Sequence, residues 1–164
     1  MGTPPGTEAD MGKVPEAHLP ANTAMQTQVQ QIVALFENLA PADLPQLGRI
    51  YTDNALFKDP FNEVQGVPAI LGVFEHMFTT LDGPRFVVHD TVLQGSQCFL
   101  TWDFIFRLRC GGKQMLVRGG SHLKLAEDGR IAVHRDYWDV AEELYEKLPV
   151  LGALMRWLKR RVNA

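Results

Sequence analysis

The sequence predicts an α+β domain in which helices come first and pack on one side of a curved, antiparallel sheet. Three observations predict it. Apolar residues recur at helical spacing between Val29 and Leu81, and the period changes to two from Arg85 onward. Turn signals, Gly95-Ser96, Gly111-Gly112 and Glu127-Asp128-Gly129, then separate the period-two runs.

Taken in order, residues 1–24 read as a flexible tail, interrupted by Pro4, Pro5, Pro15 and Pro20 and without apolar period. The folded domain spans residues 25–140. Val29, Ile32, Val33, Phe36 and Leu39 mark a first amphipathic helix, closed by Pro41. Asp43 followed by Leu44, Leu47 and Tyr51 reads as a short second helix. A short strand carries Ala55, Phe57 and Asp59 on one face, and Pro60 ends it. Pro68 suits the first turn of a third helix, whose apolar face runs from Ile70 to Leu81 and stops at Asp82-Gly83-Pro84.

Four strands follow, over residues 86–93, 97–110, 113–125 and 130–139. The second places Leu100, Trp102, Phe104, Phe106 and Leu108 on one face, with Thr101, Asp103, Ile105, Arg107 and Arg109 on the other. Residues 141–164 add a C-terminal helix. Leu151, Leu154, Met155, Leu158 and Val162 line one side of it, and Arg156, Lys159 and Arg160 cluster opposite. Two readings stand for that helix: docking on its own domain, or peripheral contact with an anionic membrane surface.

Composition narrows the function classes. With 164 residues, 46% hydrophobic and 21% charged, the chain has enough apolar material for one domain's core. A net charge of −3 argues against general nucleic-acid binding, which needs a strongly basic face. Cys98 and Cys110 fall near opposite ends of one strand, so reduced thiols are expected rather than a bridge. No ligand spacing points to a metal, and no cofactor motif is present. The tail lacks the continuous apolar stretch of about 7–15 residues that a secretory signal needs. No segment approaches the roughly 20 apolar residues of a membrane span. A cytoplasmic protein is expected.

Two stretches carry candidate chemistry. Asp59 sits at the mouth of an apolar strand face, where a carboxylate can serve as a general base; equally, it can open an Asx turn ahead of Pro60. On the last strand, alternation places His134, Asp136 and Trp138 together, with Val133, Arg135, Tyr137 and Asp139 opposite. A His and an Asp two apart on one face can share a proton. The alternatives are a hydrogen-bonded core histidine, and an aspartate paired with Arg118, Arg130 or Arg135.

Tyr51, Asp59-Pro60-Phe61, Gly66, Asp128-Gly129-Arg130-Ile131 and Tyr137-Trp138 together resemble the ketosteroid isomerases and the wider SnoaL-like, nuclear transport factor 2-like superfamily. The resemblance covers about residues 28 to 140. It implies a cone, a strongly bent antiparallel sheet wrapped around three N-terminal helices, with an apolar pocket inside. By it Asp59 matches the general base, and Trp138 a pocket tryptophan. The oxyanion-donating tyrosine falls at Phe36, or at Leu35 with a shifted gap, and neither donates; the second donor, a neutral aspartate, falls at Ser121. Losing such donors typically costs a factor of about 100 to 1,000 each, so authentic steroid isomerisation is not expected.

The resulting expectation is a pocket lined by Phe36, Phe57, Trp102, Phe104, Met115, Val117 and Trp138. Asp59, His134, Asp136 and Ser121 are its candidate catalytic groups. Its expected ligand is a small, mostly apolar molecule, a lipid-like one included, with one carbonyl, hydroxyl or carboxyl group. Two functions fit: a cofactor-independent acid-base enzyme of isomerase, hydratase, cyclase or epoxide-opening type, or a non-catalytic binding or dimerisation module. The outer sheet face around Asp103 and Arg107 is expected to join a homodimer, and the resemblance implies the same.

Overall fold

The computed structural model describes residues 21–109 and 113–143. Residues 1–20, Cys110, the Gly111-Gly112 turn and residues 144–164, with most of the expected tail and C-terminal helix, lie outside the described residues; residues 21–24, expected in the tail, begin the first helix.

Helix α1 spans Ala21–Glu37. Its Val29, Ile32 and Phe36 are buried, the stripe that their spacing predicts. A 3₁₀ turn at Pro41–Gln46 follows, in which Asp43 Oδ2 accepts the Ala40 N–H at 3.2 Å. It runs into a single helical turn, α2, at Leu47–Ile50. The chain then enters strand β1, Tyr51–Lys58. A three-residue strand β2, Glu63–Gln65, folds back on β1, and Gly66 (φ 87°) leads into α3, Val67–Thr80. The four remaining strands are β3 at Leu81–Gln94, β4 at Gln97–Leu108, β5 at Met115–Leu125 and β6 at Ile131–Tyr137. A helical turn α4, Val140–Glu143, ends the described chain.

One six-stranded sheet results, in the order β2-β1-β6-β5-β4-β3. The helices pack against it, giving the curved, open α+β arrangement that the sequence predicts. Register shifts in the β1–β6, β3–β4 and β5–β6 pairs mark where the ladders bend.

Several details differ from the sequence reading. Tyr51 starts a strand rather than closing a helix, because Tyr51 is extended (φ −104°, ψ 144°) and pairs with Ile131. That β1–β6 pairing is parallel, so the sheet is antiparallel everywhere but there. Asp82-Gly83-Pro84 is not a loop: α3 hands over directly to β3 at Leu81, and the Gly83 turn (φ 57°) and Pro84 fall in a register shift between Asp82 and Arg85. Proline has no N–H for a ladder bond, so an irregular stretch is where a strand tolerates it.

Strand parity is as expected. Leu100, Trp102 and Phe106 are buried on the inner face, while Arg107 and Arg109 are exposed. The outer face also exposes Val92, Phe99 and Tyr137. Asp103 lies 3.2 Å from His89 of the same chain. No helix among the described residues is long and apolar enough to cross a membrane.

Candidate active site

The helices and the inner sheet face enclose a cavity of about 540 Å³. Its walls are mostly aromatic and aliphatic, including Phe36 from α1, Phe57 from β1, Trp102 and Phe104 from β4, and Val117 from β5. Asp59, Ser121, His134, Asp136 and Trp138 reach the same cavity. Met115 is the exception among the expected lining residues. It shares parity with Val117 but stands at the first position of β5, where it packs on the core and does not line the cavity.

Sheet register assembles the polar cluster. Ser121 on β5 lies directly opposite Asp136 on β6, and His134 lies opposite Leu123 on one side and Phe57 on the other. Trp102 lies across from Gly119, two residues before Ser121 on the same face. A Cβ at Gly119 would come within 2.4 Å of the indole ring, so glycine is what lets Trp102 lie across β5. From there its Nε1–H donates to Ser121 Oγ at 2.8 Å.

The hydrogen bonds run on from Ser121. Its hydroxyl donates to Asp136 Oδ1 at 2.5 Å. His134 Nε2 is 2.8 Å from the same Oδ1 and 3.3 Å from Ser121 Oγ. On the far side of the ring, Nδ1 is 2.6 Å from Tyr51 Oη.

Tyr51 is fully buried and does not line the cavity. Burial, and then the negative charge of Asp136, push its phenol well above the ordinary tyrosine range. It therefore keeps its proton; a ring proton on Nε2 is what the 2.8 Å contact with the Asp136 carboxylate calls for, and in the neutral ring that leaves Nδ1 to accept from the Tyr51 hydroxyl. Every proton in the chain is aimed one way: Tyr51 to His134 to Asp136, and Trp102 to Ser121 to Asp136. Asp136 Oδ2 makes no hydrogen bond to the described residues, and the carboxylate retains 15% of its exposure. Two of the three arginines that offered alternative partners are engaged elsewhere. Arg130 bonds Asp128 and Asp53, and Arg135 lies over the Tyr137 ring, 4.9 Å from its centre.

The sequence reading missed Tyr51 as a site residue. Its signal was a tyrosine seven residues beyond Leu44, which fits a helix face as well as a strand.

Asp59 plays the part that the turn reading gave it. Its Oδ1 accepts the backbone N–H groups of Phe61 and Asn62 at 2.7 and 2.6 Å, and the Asn62 amide bonds both oxygens. It still borders the cavity, and the turn it braces presents Phe61 edge-on to Trp138, with ring centres 5.4 Å apart. Phe61 is 59% exposed, which places this aromatic pair at the mouth. Among the described residues no group of three or more His, Cys, Asp or Glu could hold a metal ion.

The model of the SnoaL-like domain matches residues 32–134. The chain belongs to the SnoaL-like family. Solved SnoaL-like and related folds resemble it over about 70% of the chain. A putative SnoaL-like polyketide cyclase from Jannaschia sp. CCS1 is 16% identical, over 71% of this chain and 88% of that one, with a TM-score of 0.63. An LEH-like epoxide hydrolase from M. tuberculosis is 17% identical, over 74% and 86%, with a TM-score of 0.60. A putative isomerase of the SnoaL-like family from Agrobacterium tumefaciens str. C58 is 21% identical, over 71% and 98%, with a TM-score of 0.57. Likenesses this distant establish the shared fold alone. No curated protein matches the sequence.

Proposed function

We propose that this SnoaL-like protein is a cofactor-independent acid-base enzyme acting on a small, mostly apolar substrate, with Asp136 as the group that takes up and returns the proton. The observation that carries this reading is the hydrogen-bond chain from Tyr51 through His134 to Asp136, which ends in a mostly apolar cavity. A satisfied polar network can serve a core alone; what supports a site here is that the network ends on a half-buried carboxylate that borders the cavity.

Asp136 suits the role better than Asp59. Both border the cavity, but the Asp59 oxygens are occupied by the turn that they brace. In Asp136 one oxygen is fixed by two donors and the other is left for a ligand. When Asp136 removes a proton, the electron pair of the broken bond stays on the substrate; the protonated carboxyl then returns the proton at a second position or to water. His134 and Ser121 hold the carboxylate in place, and Tyr51 holds His134. The chemistry named among the structural relatives, epoxide hydrolysis and polyketide cyclisation, is in keeping with this reading.

The test uses a reaction that asks only for a base in an apolar site. Elimination of nitrobenzisoxazole breaks a C–H and an N–O bond and releases a coloured cyanophenolate. The wild type is expected to accelerate it over acetate at equal concentration by about 100-fold, within the range of positioned general bases. Asp136→Asn is expected to lose most of that gain, and Asp59→Asn to keep it. A wild-type rate equal to that of Asp136→Asn would favour a non-catalytic binding module.

A further inference from the structure

Which polar group a ligand must carry follows from how the donors of the cluster are spent. Trp102 Nε1–H is used on Ser121, the Ser121 hydroxyl on Asp136, the His134 Nε2–H on Asp136, and the Tyr51 hydroxyl on His134. What the cluster leaves over is an acceptor, Asp136 Oδ2. Charge points the same way. The described cavity walls carry two carboxylates, Asp59 and Asp136, and no lysine or arginine; besides His134 of the cluster, the one other histidine among them, His76 on α3, is exposed. The nearby basic side chains are turned to other partners, Arg130 to Asp128 and Asp53, and Arg135 to the Tyr137 ring on the opposite sheet face.

We infer that the cavity selects an apolar ligand that brings one hydrogen-bond donor, a hydroxyl or an N–H, to Asp136 and carries no negative charge. This rests on the reading of the cavity as a ligand site and sharpens it. A carbonyl or carboxylate, which the aromatic lining alone would admit, meets no free donor in the cluster, and a carboxylate also meets like charge. Two anionic groups in contact at the edge of a protein interior repel strongly enough to weaken binding by roughly 100-fold or more. Removing a donor to a charged acceptor weakens binding by roughly 10-fold or more. The aromatic walls supply affinity without regard to this choice, so the polar preference resides in one carboxylate.

Three matched probes separate these contributions: naphthylmethanol, its methyl ether, and naphthoate. They share one ring system and differ in offering a donor, no donor, or a negative charge. Dissociation constants for the full chain at neutral pH come from quenching of tryptophan fluorescence, with calorimetry as a check. The expected order is alcohol tightest, ether about 10-fold weaker and naphthoate about 100-fold weaker. In Asp136→Asn the naphthoate penalty is expected to shrink at least 10-fold, because the amide has no charge and offers a donor. Equal binding of alcohol and ether, naphthoate binding as tightly as the alcohol, or no binding of the alcohol would each overturn the inference. Binding order and elimination rate are independent readouts. A protein that ranks the probes as expected yet leaves nitrobenzisoxazole untouched keeps this inference and loses the catalytic reading.

Discussion

Replacing Tyr51 by Phe tests the least exposed link of the chain. The substitution keeps the ring, removes one hydroxyl, and opens no route for water, since Tyr51 is 0% exposed. It deletes the 2.6 Å bond to His134 Nδ1 and leaves that nitrogen as a buried acceptor without a donor. Two effects oppose each other. The lost hydroxyl no longer needs desolvation, which favours the variant, but the stranded acceptor costs about 1–3 kcal/mol and should dominate. The expected loss is therefore about 1–3 kcal/mol, or roughly 2–10 °C in Tm for a chain of this length.

Urea unfolding at neutral pH measures it, as a lowered midpoint with an unchanged slope. Ring nitrogen shifts of His134 by NMR supply the readout that a merely structural role would not move. In the wild type Nε2 carries the proton, whereas in Tyr51→Phe the two tautomers should mix. A double-mutant cycle with His134→Leu closes the argument, because removing both partners strands neither group. The double variant should cost less than the sum of the singles by about 1 kcal/mol or more. Additivity within about 0.5 kcal/mol, with the ring shifts unmoved, would refute the coupling on which the chain depends.

Two further outcomes follow from the same packing. Burial pushes the Cys98 thiol from 9.0 up to about 11. The folded state thus holds its proton where the unfolded chain releases it, so stability present below pH 9 falls as pH rises toward 11. The loss is about 2–3 kcal/mol at most; Cys98→Ala should flatten that part of a pH–stability curve, and an unchanged slope would contradict the burial argument. Gly119→Ala should destabilise by about 1–3 kcal/mol, since its Cβ would overlap the Trp102 ring. It should also weaken naphthylmethanol binding, because the displaced indole releases Ser121; unchanged urea midpoint and affinity would show that Trp102 is not locked there.

How much of this was legible in the sequence depends on the range of each contact. Alternation within β4 and β6 placed Trp102, Phe104, His134, Asp136 and Trp138 on the inner face, because parity is local and survives whatever the strands pair with. Ser121 came through the family resemblance rather than through parity. Tyr51 escaped because its partner is 83 residues away, across a parallel pairing that no local pattern announces. Its spacing from Leu44 and Leu47 satisfied a helix, and only the sheet register removes it from one. The third helix was bounded one residue too far for a similar reason. Asp82-Gly83-Pro84 has the composition of a helix terminus, and the same composition serves a bulged strand. Met115 shows the limit of parity, which fixes a face but not how far along a strand the cavity extends.

The two aspartates illustrate why residue type and position do not settle role. Asp59 occupies the place that the resemblance gives to a general base, on a strand face shared with Phe57, and it does border the cavity. Yet Pro60 follows it, and the chain must reverse within three residues to form β2. Asp59 supplies acceptors to the backbone N–H groups of Phe61 and Asn62 in that turn. Asp136 faces no such demand. As a member of β6 its own backbone is served by the ladder with β5, so its carboxylate is free to be positioned by side chains alone. Ser121 and His134 then fix one oxygen and leave the other to the cavity. A group that a turn needs in order to fold is poorly placed to give up its bonds in each catalytic cycle. A group held by a network of side chains can exchange a proton without the backbone moving. On that physical ground the proposed base is Asp136, near the end of β6, rather than the turn after β1, and its network is anchored by a tyrosine that does not line the cavity.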